Sequence, residues 1–90
     1  MGLQLLSAEF QWKLLDTLAK SYPKALSIEI YKKEFGYKPE ITVITNVQRL
    51  VDSNLICNEA IVVGASGVSL NISQLLLTDI GYFLSTSNYL

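Results

Sequence analysis

The stretch ITNVQRLVDSNLICNEAIVV, residues 44–63, decides how the rest of the chain is read. Its first half repeats apolar residues at helical spacing and stops at Asn54, and its second half, LICNEAIVV, is rich in β-formers. Asparagine tolerates the left-handed conformation that ends many helices, so a helix over about residues 39–53 is expected to hand over directly to a strand. At about 100° per residue, Val43, Ile44, Val47, Leu50 and Val51 fall in one apolar stripe of about 120°, while Thr42, Thr45, Arg49 and Asp52 point the other way. Asn46, Gln48 and Ser53 lie between. One side of this helix packs and the other offers a polar surface.

Upstream, Ser7 is a good N-cap with Glu9 in the first turn, and a helix is expected to run to about Ser21, ahead of Pro23. Phe10, Leu14, Leu15, Leu18 and Tyr22 share a face at helical spacing and Trp12 lies off it. A shorter helix is expected from Ser27 to Gly36, the latter as a left-handed C-terminal cap, with Leu26, Ile30 and Phe35 turned inward. GYKPE then forms a tight turn, with Pro39 suited to the first position of the next helix. Downstream, LICNEAIVVG reads as a strand, ASGVSLNIS as a turn-rich segment and QLLL as the returning strand. Thr78 caps a short last helix in TDIGYFLSTSNYL. The expected class is α+β, three helices followed by a β-hairpin and a short C-terminal helix, in a single domain over residues 1–90.

Composition sets limits on function. Half of the 90 residues are hydrophobic and 17% are charged, which is globular rather than disordered. No apolar run approaches the roughly 18 residues of a membrane span, and MGLQLLSAEF lacks basic flanks, a signal-peptide core and the Ser or Thr that myristoylation requires. A cytoplasmic protein is expected. With no histidine and one cysteine, Cys57, soft-ligand metal sites are not expected, and Cys57 in its apolar strand reads as a buried packing residue. GASG has neither the spacing of a nucleophile elbow nor the lysine of a phosphate-binding loop. NIS at Asn71 is a chance glycosylation match in a cytoplasmic protein. The carboxylates are scattered, so neither catalysis nor a cofactor is expected.

VQRLVDSNLI, residues 47–56, resembles the end of a winged-helix recognition helix, with Asn54 where a capping glycine is usual, and LLLTDIGYFL, residues 75–84, is similar to the LTxxGxxyL segment that ends many small bacterial and phage winged-helix domains. The resemblance spans roughly residues 7–87 and implies a winged helix-turn-helix fold, a DNA-binding transcription regulator, and a third helix in the major groove of double-stranded DNA. It implies base contacts from Thr42, Thr45, Asn46, Gln48 and Arg49, since Arg pairs with guanine, Asn or Gln with adenine, and a Thr methyl with thymine. It also places Lys32, Lys33 and Lys38 on the phosphate backbone. Five of the 7 basic residues, Lys20, Lys24, Lys32, Lys33 and Lys38, lie between the end of the first helix and the start of the third.

The remaining charges oppose that reading. After Arg49 there is no Lys or Arg, whereas Asp52, Glu59 and Asp79 remain, so the wing brings no cation to DNA. The pI near 5.2 points the same way. The alternative is a winged-helix protein-interaction module, an adaptor or inhibitor that uses an acidic wing and exposed aromatics. Leu3, Leu5, Leu6, Trp12, Tyr82, Tyr89 and Leu90 exceed what one small core needs, so a homodimer through the terminal segments is expected.

Overall fold

The computed structural model describes residues 5–87. Over that span the chain forms α1 (Ala8–Ala19), α2 (Ile28–Phe35), α3 (Glu40–Asp52), a two-stranded antiparallel hairpin of β1 (Ile61–Gly64) and β2 (Gly67–Leu70), and α4 (Asp79–Thr86). The class is α+β and the element order is compatible with a winged-helix shape. Among the described residues no helix is long and apolar enough to cross a membrane.

Local chemistry sets the boundaries. Ser7, Ser27 and Thr78 accept the backbone N–H groups of Phe10, Ile30 and Gly81 at 3.1, 3.2 and 3.0 Å, each satisfying a donor that the first helical turn leaves free. Pro39 occupies the N-cap of α3 rather than its first helical position, and Glu40 sits in the first turn. At the other end Asn54 takes φ 63°. There its N–H bonds the carbonyl of Val51 and the N–H of Leu55 bonds that of Leu50, both at 2.9 Å. These paired bonds close α3 as a Schellman motif. Gly36 differs from expectation, because it ends α2 in right-handed geometry (φ −66°). Glycine is needed there for a different reason: a Cβ would collide with the carbonyl of Lys32.

The core gathers the inner sides of α1, α2 and α3. Phe10, Leu14, Leu15 and Leu18 meet Leu26, Phe35, Val43, Val47 and Leu50, and Ile56, Ala60, Leu75 and Leu77 close it from the hairpin side. Each Val, Leu, Ile or Phe among them contributes about 1.5–3 kcal/mol on burial. Phe10 meets Phe35 edge to face at 5.7 Å. Ile30, expected inward, is exposed, and Tyr31 packs against the core in its place. Tyr31 and Phe35 are four residues apart and share the inner stripe of α2, from which Ile30 is rotated by one residue.

The hairpin also departs from expectation. Ile61 pairs with Leu70 and Gly64 with Gly67, leaving a two-residue loop of Ala65 and Ser66. Gly67 at φ 122° lets the chain reverse at once, so residues read as a turn form the returning strand. Below the hairpin, 3-10 turns at Asn58–Ala60 and Ile72–Gln74 interrupt the two arms. Pairing resumes at their base, where Ile56 bridges Leu77 and Cys57 N–H donates to Leu76 at 2.9 Å. The segment before α2 joins them through Leu26 N–H and the Leu75 carbonyl, 3.2 Å apart.

Candidate nucleic-acid interface

Because α3 buries Val43, Ile44, Val47 and Leu50, helical geometry turns Ile41, Thr45, Gln48, Arg49 and Asp52 outward. The side chains on this face are partly committed to one another. The half-buried Thr45 donates its hydroxyl proton to the Ile41 carbonyl at 2.7 Å, which leaves oxygen lone pairs and the methyl group. Gln48 donates to Asp52 at 2.9 Å and keeps its own carbonyl oxygen and one N–H. Thr42 is half-buried. Arg49 is exposed and forms no salt bridge among the described residues.

Asn46 corrects an expectation, since it is fully buried and has no free edge for a base. Its Oδ1 accepts from Ser7 N–H at 2.9 Å and from Gln11 Nε2 at 3.0 Å, while Nδ2 donates to the carbonyls of Leu5 at 2.9 Å and Thr42 at 2.8 Å. Both donors and both acceptor sites are used. The residue ties the segment ahead of α1, α1 itself and α3 together.

Lys32 and Lys33 are exposed in the last turn of α2, where the helix dipole favours cations, and form no salt bridge among the described residues. Lys38, half-buried, holds its ammonium 5.1 Å from the Phe10 ring centre and 5.6 Å from that of Tyr37. Sequence reasoning missed the other half of this cluster. Lys13 lies 4.9 Å from the Tyr37 ring centre, 3.4 Å from its hydroxyl and 3.9 Å from Glu34. Tyr37 is 63% exposed and Ile41 58%, so the entry to α3 is aromatic and apolar as well as basic. A Tyr-Lys pair in the turn was the available signal. From Ile28 to Asp52, four cations (Lys32, Lys33, Lys38, Arg49) balance four carboxylates (Glu29, Glu34, Glu40, Asp52), and Lys13 of α1 adds one further cation beside them.

The hairpin strands carry no charge, which corrects the acidic wing. Asp52 belongs to α3, Glu59 to the first 3-10 turn and Asp79 to α4, leaving Val62, Val63 and Val68 as the exposed large side chains of the strands. Of the residues expected at a dimer interface, Leu3, Tyr89 and Leu90 lie outside the described residues. Leu5 is half-buried, while Leu6 and Trp12 are exposed. Tyr82 stacks on Tyr22 at 4.3 Å, and the Tyr22 hydroxyl donates to Asp79 at 3.2 Å. The sequence reading overlooked Ile80, Phe83 and Leu84, which crowd one side of α4, with Phe83 69% exposed. Cys57, expected buried, is half-buried and borders an open cleft of about 530 Å³ between the hairpin base and the start of α4.

Two tyrosines titrate above their ordinary value. Burial, then the hydrogen bond to Asp79, raises Tyr22, and burial, then the charge of Glu40, raises Tyr31. No family model matches the chain, and no curated protein or solved structure resembles it closely enough to count as a match.

Proposed function

We infer that this chain is a winged helix-turn-helix domain and a non-enzymatic regulator that binds double-stranded DNA through α3. The observation that carries the reading is the pairing of an outward polar stripe on α3, Thr42, Thr45, Gln48 and Arg49, with the exposed Lys32 and Lys33 at the end of α2. Arg49 is the principal base reader, because its guanidinium has no competing carboxylate within salt-bridge distance among the described residues. Lys32, Lys33 and Lys38 hold the backbone. With three phosphate contacts and an uncharged wing, the logarithmic salt dependence of affinity has a slope of about −3.

The test is amide-shift mapping of labelled protein against a generic duplex at about 50 mM salt, where non-specific binding tightens. Shifts centred on Thr42, Thr45, Gln48 and Arg49 and on Lys32, Lys33 and Lys38, reversed by salt, are the expected result. Silence across that surface overturns the reading.

The apolar side of α4 favours a second reading, a protein-interaction module of the same fold. Ile80, Phe83 and Leu84 are large, exposed and within one helical turn of one another. Replacing Arg49 and Lys33 together separates the two: the first reading requires loss of DNA affinity, and the second leaves the protein complex intact.

A further inference from the structure

The hairpin combines two properties that natural sheet edges avoid. From Ala60 to Thr78 there is no charged residue and no proline, the devices that usually keep a free edge from pairing with another chain. The edge is also apolar: Val63 is 76% exposed, and it faces Val68, itself exposed, across the ladder.

Backbone geometry identifies which groups are free. Asn71 N–H donates to the Ala60 carbonyl at 2.8 Å, which makes Ala60 and Asn71 a hydrogen-bonded pair. Antiparallel ladders alternate, so Val62 with Ser69 and Gly64 with Gly67 are hydrogen-bonded pairs too. Ile61 and Val63 therefore turn their N–H and C=O groups away from β2. An open groove of about 610 Å³ borders β1, lined by Asn58, Glu59, Ile61, Val62, Val63, Asn71 and Gln74. The β2 side is different, because Leu70 and Ile72 share a groove there with Tyr31 and Lys32 of α2.

We propose that β1 pairs antiparallel with β1 of a second copy, across a two-fold axis at Val62, to form a four-stranded intermolecular sheet. In that register Ile61 N–H reaches the Val63 carbonyl of the other copy and Val63 N–H reaches its Ile61 carbonyl. Symmetry makes each bond twice. Valine meets valine at the axis, and Ile61 lies beside Val63 on the opposite face, extending the apolar cluster that Val68 and Leu70 begin. Charge selects this occupant. The nearest carboxylate, Glu59, precedes β1 in a 3-10 turn, so the antiparallel arrangement sets its two copies at opposite ends of the shared ladder rather than facing each other. An edge with no charge and no proline has nothing that turns its own copy away. This interface is distinct from the one expected at the chain ends, and it does not depend on whether α3 binds DNA.

Hydrogen exchange of the intact chain, followed residue by residue at low- and high-micromolar concentration, tests this. The Ile61 and Val63 amides are free in the monomer and should slow by about tenfold or more at the higher concentration, with sedimentation showing a matching rise in mass. V62K and V62E each set like charges opposite one another at the axis and should remain monomeric with unchanged circular dichroism. Their equimolar mixture should dimerise again. Equal exchange of the two amides at both concentrations, or protection that persists in V62K alone, overturns the proposal.

Discussion

The Thr78 hydroxyl donates to the Asn54 carbonyl at 2.7 Å and accepts the Gly81 N–H at 3.0 Å, so one side chain closes α3 and opens α4. The Thr78 N–H adds a bond to the Leu55 carbonyl at 3.1 Å. Thr78→Val keeps the shape and loses both hydroxyl bonds, and it is expected to destabilise the fold by about 1–3 kcal/mol. Thr78→Ser should recover most of that loss, as read from urea unfolding midpoints.

Gly81 faces the Leu55 carbonyl so closely that a Cβ has no room. The obstacle is backbone rather than a flexible side chain, so α4 has to shift as a body. Gly81→Ala is expected to cost about 1–3 kcal/mol, a fall in Tm of about 4–8 °C per kcal/mol for a domain of this size. A melt of the variant within 1 °C of the parent would refute the close approach.

Asn46 and Arg49 sit three residues apart on α3 and should respond oppositely to alanine. Asn46→Ala strands the Ser7 N–H and the Leu5 carbonyl and is expected to cost about 2–4 kcal/mol of stability. At temperatures where the variant stays folded, its DNA affinity should be unchanged. Arg49→Ala should leave unfolding untouched and weaken DNA binding by about 1–3 kcal/mol.

Removing either Lys32 or Lys33 should weaken DNA binding evenly across sequences and make the salt slope shallower by about one. Affinities measured by fluorescence anisotropy between about 50 and 200 mM salt give that slope. A slope unchanged in both variants would remove these lysines from the backbone contact.

Raised values at Tyr22 and Tyr31 mean that folding favours the protonated phenols. Their contribution is therefore complete below the ordinary value of 10.0 and is lost as pH climbs through the higher folded-state values. Stability should decline in alkaline solution, and Tyr22→Phe should flatten part of that decline. Phenolate absorbance against pH, followed alongside denaturation, checks both.

Much of the architecture was legible because it is written locally. Ser7, Ser27 and Thr78 announce helix starts within three residues of the N–H groups they accept, and Asn54 ends α3 in the left-handed conformation its side chain tolerates. The α3 stripe from Val43 to Leu50 repeats at helical spacing, so its buried side was also readable. Asn46 was not, because it lies at the margin of that stripe and three of its four partners are 35–41 residues away. Nothing near it in the chain signals a clamp. The returning strand was misplaced because Gly67, read as part of a turn, is itself its first residue. Tyr37 and Lys13 come together only through tertiary packing.

The contact between Gly81 and the Leu55 carbonyl also constrains ancestry. A chain that keeps this junction must keep glycine at one position, a hydroxyl three residues before it, and asparagine or glycine 24 residues before that hydroxyl. The tip and outer side chains of β2 between them are less constrained, since they face solvent. Distant kin would then share a spacing of three residues rather than an alignable stretch, and kinship of that kind is recognised by pattern where percentage identity fails.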